Sequence, residues 1–143
     1  MYIAYGICFC TFLMLASAVH EPENNCEQYF SYSTQNRGQT YIGIFTAHKN
    51  YIREFYWEAV FSARGSINQV GDLYLFPNNE VFERNIRNGQ PAQVYVIFRD
   101  ITTELPKLIS LKLNGLTLCT NEKYPPFSIT TRVARRINIK ETQ

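Results

Sequence analysis

Histidine and cysteine are scarce in this 143-residue sequence, with two of the first and four of the second. The histidines, His20 and His48, lie far apart in the chain, and no Gly-x-Ser-x-Gly occurs. A Ser-His-Asp centre needs those side chains converging beside a glycine-framed nucleophile and an oxyanion hole. Hydrolysis of that kind is therefore excluded for these residues. His48 stands beside Lys49 and Asn50, the make-up of a solvated turn. One histidine without a neighbouring Cys, Asp or Glu cluster does not build a three- or four-ligand metal centre. Glycine loops that cradle phosphate are absent too, so neither a metal nor a cofactor is expected.

Long apolar runs are equally few. The single one is MYIAYGICFCTFLMLASA, residues 1–18, which ends in the small-x-small pattern Ala16-Ser17-Ala18 and runs into a charged Glu-Pro-Glu stretch. That reads as a signal peptide cut between Ala18 and Val19. The run lacks an early Lys or Arg, and an uncleaved anchor stays open as the alternative. Nothing after it approaches membrane-spanning length, so a secreted, extracellular product without membrane association is expected after cleavage.

The remaining residues are about one domain's worth, enough for a single core. Cys8 and Cys10 belong to the leader, which leaves Cys26 and Cys119. In a secreted chain the simplest expectation for such a pair is one disulfide. Net charge is +2, and it is unevenly spread: Arg132, Arg135, Arg136 and Lys140 crowd the last dozen residues. Residues 121–143 thus read as a basic tail. Arginine forks pair well with sulfate, which admits a sulfated glycan as a partner, while a merely solvated end is the plainer reading. Arg132-x-x-Arg135-Arg136 also reads as a site for basic-specific processing.

What the chain has in plenty is β signal. Residues 29–34 alternate aromatic and small polar side chains, 35–39 read as a turn, and 41–46 resume in β-favouring residues, which predicts a hairpin. From Ile52 to Ala63, Phe55, Trp57, Ala59 and Phe61 recur at period two with Glu54, Tyr56 and Glu58 between them. One face of that strand is expected to be buried and the other wet. On a strand the two glutamates stand about 13 Å apart, beyond the range of about 5 to 9.5 Å that paired carboxylates use on a glycosidic bond. Gly71-Asp72 introduces a short strand stopped at Pro77, and Glu80 to Asn88 suits one or two helical turns with Val81, Phe82 and Ile86 inward. Ala92 to Phe98 is apolar almost throughout, which suggests a central strand. Residues 99–105 read as a loop, and Ile109, Leu111 and Leu113 then alternate with polar residues up to Asn114-Gly115. That dipeptide signals a type I′ turn, and Leu116 to Cys119 make the return. About seven strands with regular turn signals predict an all-β fold, an antiparallel β-sandwich of immunoglobulin-like size. The ten Tyr and ten Phe read as β core and cross-strand pairs, some exposed enough to form a protein-binding patch. They do not read as a base-stacking platform, and nucleic acid is not an expected partner.

Several of these pieces stand in a characteristic order. Cys26 lies three before Tyr29-Phe30, with Tyr32 following; Ile42-Gly43-Ile44 and Gly71-x-Leu73-x-Leu75 come next. Asn88-Gly89-x-Pro91 precedes Val94-Tyr95-Val96-x-Phe98, and Leu105-Pro106-Lys107-Leu108 leads to Leu113-Asn114-Gly115-Leu116 and Cys119. Together they resemble the N-terminal domain of the insect serine protease gastrulation-defective and its relatives over residues 26–120, with 19–25 as a leader. Glu27 stands where the family pattern has proline. The resemblance implies a module of extracellular proteolytic cascades that precedes a trypsin-like catalytic domain.

No such catalytic domain can be read in these residues. Ile137-Asn138-Ile139 is not the Ile-Val-Gly-Gly that opens an activated trypsin-like domain. The expectation is therefore a secreted, non-catalytic recognition domain that binds an extracellular protein, either a protease or a protease substrate, or a matrix glycan. The alternative is a piece of a serine endopeptidase whose catalytic domain is missing from this chain. Cys119 is expected to bond Cys26 and so to join the two ends of the domain.

Overall fold

The computed structural model describes residues 19–48 and 52–139. Residues 1–18, including Ala18, and Lys140 lie outside the described residues. Alternating β-branched and aromatic residues form β1 (Phe30–Gln35), β2 (Thr40–Ala47), β3 (Glu54–Ala63), β4 (Val70–Leu75) and β5 (Ala92–Phe98). After them come β6 (Lys107–Leu113), β7 (Leu116–Thr120) and β8 (Ile129–Asn138). One helix, α1 (Asn79–Arg87), lies between β4 and β5. Asn78 caps it, its side chain accepting from the Val81 N–H at 3.0 Å. Gly89, with φ +76°, closes it in the left-handed conformation that glycine adopts cheaply. Phe82 and Ile86 are its buried residues, while Val81 is only half-buried.

The strands form two antiparallel four-stranded sheets in the orders β1-β2-β5-β4 and β7-β6-β3-β8. With strands lettered A to G from β1 to β7, these orders become ABED and GFC. That is the arrangement of a constant-type immunoglobulin sandwich, with β8 added beside C. The predicted all-β sandwich is therefore present with eight strands where about seven were expected. β5 occupies an inner position between β2 and β4, as the apolarity of its sequence suggested.

The extra strand corrects the reading of residues 121–143 as a tail. Residues 129–138 pair with β3 over its whole length, from Glu54 opposite Asn138 to Ala63 opposite Ile129. Val133 and Ile137 are buried in the core. Their β-branched side chains fall at odd positions together with Ile129 and Thr131, a period-two pattern that the intervening arginines obscure. Asn114-Gly115 consequently turns the penultimate strand pair, not the last. Its φ values of +52° and +81° suit a type I′ turn. The Asn114 side chain also accepts from the Tyr56 N–H at 2.7 Å and donates to the Glu54 carbonyl at 2.9 Å. Residues 19–25 are likewise tied into the fold. The His20 N–H donates to the Thr103 carbonyl at 2.7 Å, and the Leu105 N–H donates to the His20 carbonyl at 3.1 Å.

The core lies between the sheets. Trp57 on β3 is fully buried, with its ring 5.8 Å from Phe45 on β2, and Phe61 lies 5.4 Å from Phe98. Phe55, Ala59, Val94, Val96 and Leu111 complete the layer. Trp57 thus occupies the strand-C position that carries the buried tryptophan of immunoglobulin domains, and an aromatic ring stands against it on strand B. The sheets are joined on one side by the disulfide Cys26–Cys119, whose Cα atoms are 5.7 Å apart. Tyr32 adds a second link: its hydroxyl donates to the Pro106 carbonyl and accepts from the Leu108 N–H. On the other side Arg135 of β8 donates to the Leu73 carbonyl of β4 at 2.8 Å, so each open edge of the sandwich is tied to its opposite.

Candidate functional site

The two outward faces of the sandwich differ in character. On the β7-β6-β3-β8 sheet, alternation turns Glu54, Tyr56 and Glu58 of β3 and Arg132 and Arg136 of β8 toward solvent. Arg132 donates to the Glu58 carboxylate at 2.8 Å and to the Tyr56 hydroxyl at 3.0 Å. Both contacts push its already high pKa further up, the Glu58 hydrogen bond most. Arg136 pairs with Glu54 and lies over the Tyr56 ring, 4.4 Å from its centroid. The register sets these partners, because β8 lies alongside β3 in antiparallel sense. Two of the cations expected to reach for a glycan from a tail, Arg132 and Arg136, are thus held in a ladder with two glutamates, and Arg135 donates to the Leu73 carbonyl.

The outer face of the β1-β2-β5-β4 sheet carries no comparable ladder. The inward residues of β2 and β5 are Phe45, Ala47, Val94 and Val96, so Ile42, Ile44, Tyr95 and Ile97 point outward. Ile42 stands opposite Ile97, Ile44 opposite Tyr95, and Tyr74 of β4 opposite Tyr95 on its other side. Ring centroids of Tyr74 and Phe76 lie 5.6 and 5.7 Å from that of Tyr95. Ile42 is itself buried, whereas Ile44, Ile97, Tyr95 and Phe76 are half-buried and Tyr74 is exposed. Outward positions of a sandwich are ordinarily polar. Here the outward row of the two central strands is apolar at Ile42, Ile44, Tyr95 and Ile97 and turns polar at Thr46 and Gln93, with Ser31 and Ser33 beside it on β1. The sequence held part of the signal: the near-continuous apolarity of β5, read as the mark of a central strand, fits a second apolar face equally well, and Ile42 and Ile44 of β2 extend it.

The remaining candidates are not brought together. His20 is tied to Thr103 at one end of the sandwich. His48 is exposed at the other, its Nε2 2.6 Å from the Gln28 carbonyl oxygen. Among the described residues no group of three or more His, Cys, Asp or Glu is placed to hold a metal ion, and no helix is long and apolar enough to cross a membrane. Tyr124, a buried residue on the link from β7 to β8, donates to the Leu105 carbonyl at 2.8 Å. Desolvation, followed by the nearby Glu104, pushes its pKa up to about 12 against the opposing pull of Arg64.

These features define a class: a disulfide-clasped all-β sandwich domain whose distinctive chemistry lies on its faces. The family model of the serine protease gd N-terminus matches residues 24–129, and the chain belongs to that family. The family is the N-terminal region of gd-like serine proteases, apart from their catalytic domain. No curated protein and no solved structure matches the chain. The matched region stops where β8 begins, so the strand that completes the second sheet lies almost wholly beyond it.

Proposed function

We propose that the chain acts as a secreted, non-catalytic recognition domain of extracellular serine protease cascades. In this reading it binds a protein partner, a protease or its substrate, through the outer face of the β1-β2-β5-β4 sheet. The observation that carries the reading is the row of Ile44, Ile97, Tyr95, Tyr74 and Phe76 on a face that a freestanding sandwich keeps polar. Apolar and tyrosine-rich patches of this kind are the usual centres of protein interfaces. The disulfide supports an oxidising compartment, and family membership supplies the proteolytic setting. A sulfated glycan is the less supported partner, because Arg132 and Arg136 already have carboxylate partners.

The test is binding of the purified chain to purified cascade proteases and their zymogens. Tyr95→Ala and Ile97→Glu are expected to weaken binding more than ten-fold, the usual consequence of truncating an aromatic anchor. Arg132→Gln with Arg136→Gln is expected to leave it unchanged. The reverse pattern would move the site to the charged face and end this reading.

A further inference from the structure

Where β4 leads into α1, an open hollow lies beside the tyrosines of the outer sheet face. We propose that it binds a neutral saccharide, with a pyranose ring stacked on Tyr74 and Tyr95 and its hydroxyls on the residues that open α1. Tyr74, Pro77, Asn78, Asn79, Glu80 and Tyr95 line it, and its volume is about 440 Å³. All of these residues lie in the described part of the chain. A cavity of about 150 Å³ admits benzene, so one or two six-membered sugar rings have room.

One side of the hollow is aromatic. Register sets Tyr74 of β4 opposite Tyr95 of β5, and their ring planes are inclined by 41°. Phe76 packs edge-on against Tyr95 and steadies that ring, while Tyr74 is 39% exposed. An aromatic face is electron-rich, and the C–H bonds along one face of a pyranose carry the complementary weak positive charge. The other side is polar and offers both donors and acceptors. Asn78 uses its side-chain oxygen on the Val81 N–H, which leaves its amide hydrogens to donate. Asn79 and Glu80 stand in the first turn of α1, where backbone N–H groups have no intrahelical acceptor. Neither the Asn79 carboxamide nor the Glu80 carboxylate has a side-chain partner among the described residues.

This mixture selects the class of ligand. Glu80 repels sulfate and phosphate, and the N–H groups at the start of α1 oppose a cation. A wholly apolar ligand would strip water from the carboxamides without replacing its hydrogen bonds. A neutral, hydroxyl-rich ring supplies donors and acceptors to the polar side and an apolar face to the tyrosines, the combination that small-molecule sites use. The tyrosine pair carries the site, and the start of α1 supplies its polar edge. Tyr74 and Tyr95 also belong to the proposed protein-binding face, whereas Ile44 and Ile97 lie outside the hollow. The inference goes beyond that reading and does not rest on it.

Titration of the isotope-labelled, disulfide-intact chain with chitotriose, mannotriose and maltotriose, followed by amide NMR, tests it. At least one of the three is expected to shift the amides of Tyr74, Asn79 and Tyr95 and to saturate in the millimolar range. Tyr74→Ala, at an exposed position, is expected to weaken that binding about ten-fold, and Asn79→Ala about three-fold. Arg132→Gln, on the opposite sheet, is expected to leave it unchanged. Failure of all three sugars to shift these amides at millimolar concentration overturns the proposal. So does binding that Tyr74→Ala leaves at full strength, or a shift of the same amides by a heparin tetrasaccharide in place of the neutral sugars. No protease is present in this titration, so its failure leaves the protein-binding reading to its own test.

Discussion

At the scale of single residues, the packing of β1 on β2 depends on the absence of a side chain at Gly43. A Cβ there would meet the Phe30 ring at 2.5 and 2.7 Å and the Phe98 ring at 3.2 Å. Phe30 is buried and cannot swing away. Gly43→Ala is therefore expected to cost about 1–3 kcal/mol, the range for overpacking a core, read as a lower urea midpoint. Tyr124 makes a second residue-level prediction. Its folded pKa of about 12 lies above the ordinary value of 10.0, so the folded state holds this proton more tightly than the unfolded state. The stability that goes with it is fully present below pH 10 and is lost as pH rises toward 12. Burial raises Tyr32 in the same direction. Alkaline unfolding is thus expected between pH 10 and 12, and Tyr124→Phe should flatten the pH dependence there, as followed by circular dichroism.

At the scale of elements, β8 is the piece on which the second sheet depends. It pairs with β3 along ten residues, buries Val133 and Ile137, and ties the sheet edges together through Arg135. Without it β3 becomes an edge strand, and the inward residues Phe55 and Trp57 lose cover on one side. A chain ended at Ser128 is expected to lose cooperative unfolding and the dispersed amide spectrum of the full chain. A truncated protein that unfolds with the same midpoint would show β8 to be dispensable. Most elements were legible in the sequence, and for local reasons. β3 carries its aromatic residues at period two, the Asn-Gly turn has one favoured geometry, and the short helix holds Phe82 and Ile86 at helical spacing. β8 was not legible, because three arginines within five residues outweighed the β-branched alternation beneath them. Those arginines face partners contributed by β3 and β4, which sequence proximity does not reveal.

At the scale of the whole molecule, positive charge that looks concentrated along the chain is dispersed in space. Arg132 and Arg136 are neutralised by Glu58 and Glu54, residues more than seventy positions earlier in the chain. The chain is therefore expected to elute from a heparin column at no higher salt than a control of equal net charge. A markedly later elution that Arg132→Gln abolishes would show that the ladder opens to bind sulfate. The disulfide works at this scale as well. Joining residues 93 apart removes unfolded-state entropy worth about 4–5 kcal/mol in the chain-entropy model.

What the sequence by itself determined is the set of properties that depend on neighbours along the chain. These are strand periodicity, turn chemistry, the cysteine pair, and a family signature ending at Cys119. Tertiary structure alone decided which face each strand presents and which charges meet. Those outcomes depend on register between segments distant in sequence: one strand order pairs the C-terminal arginines with the glutamates of β3, and another leaves Ile44, Tyr95 and Ile97 turned to solvent. The apolar outer face of the β1-β2-β5-β4 sheet belongs to the second kind, because an apolar side chain becomes a surface only once the fold has placed the core on its other side.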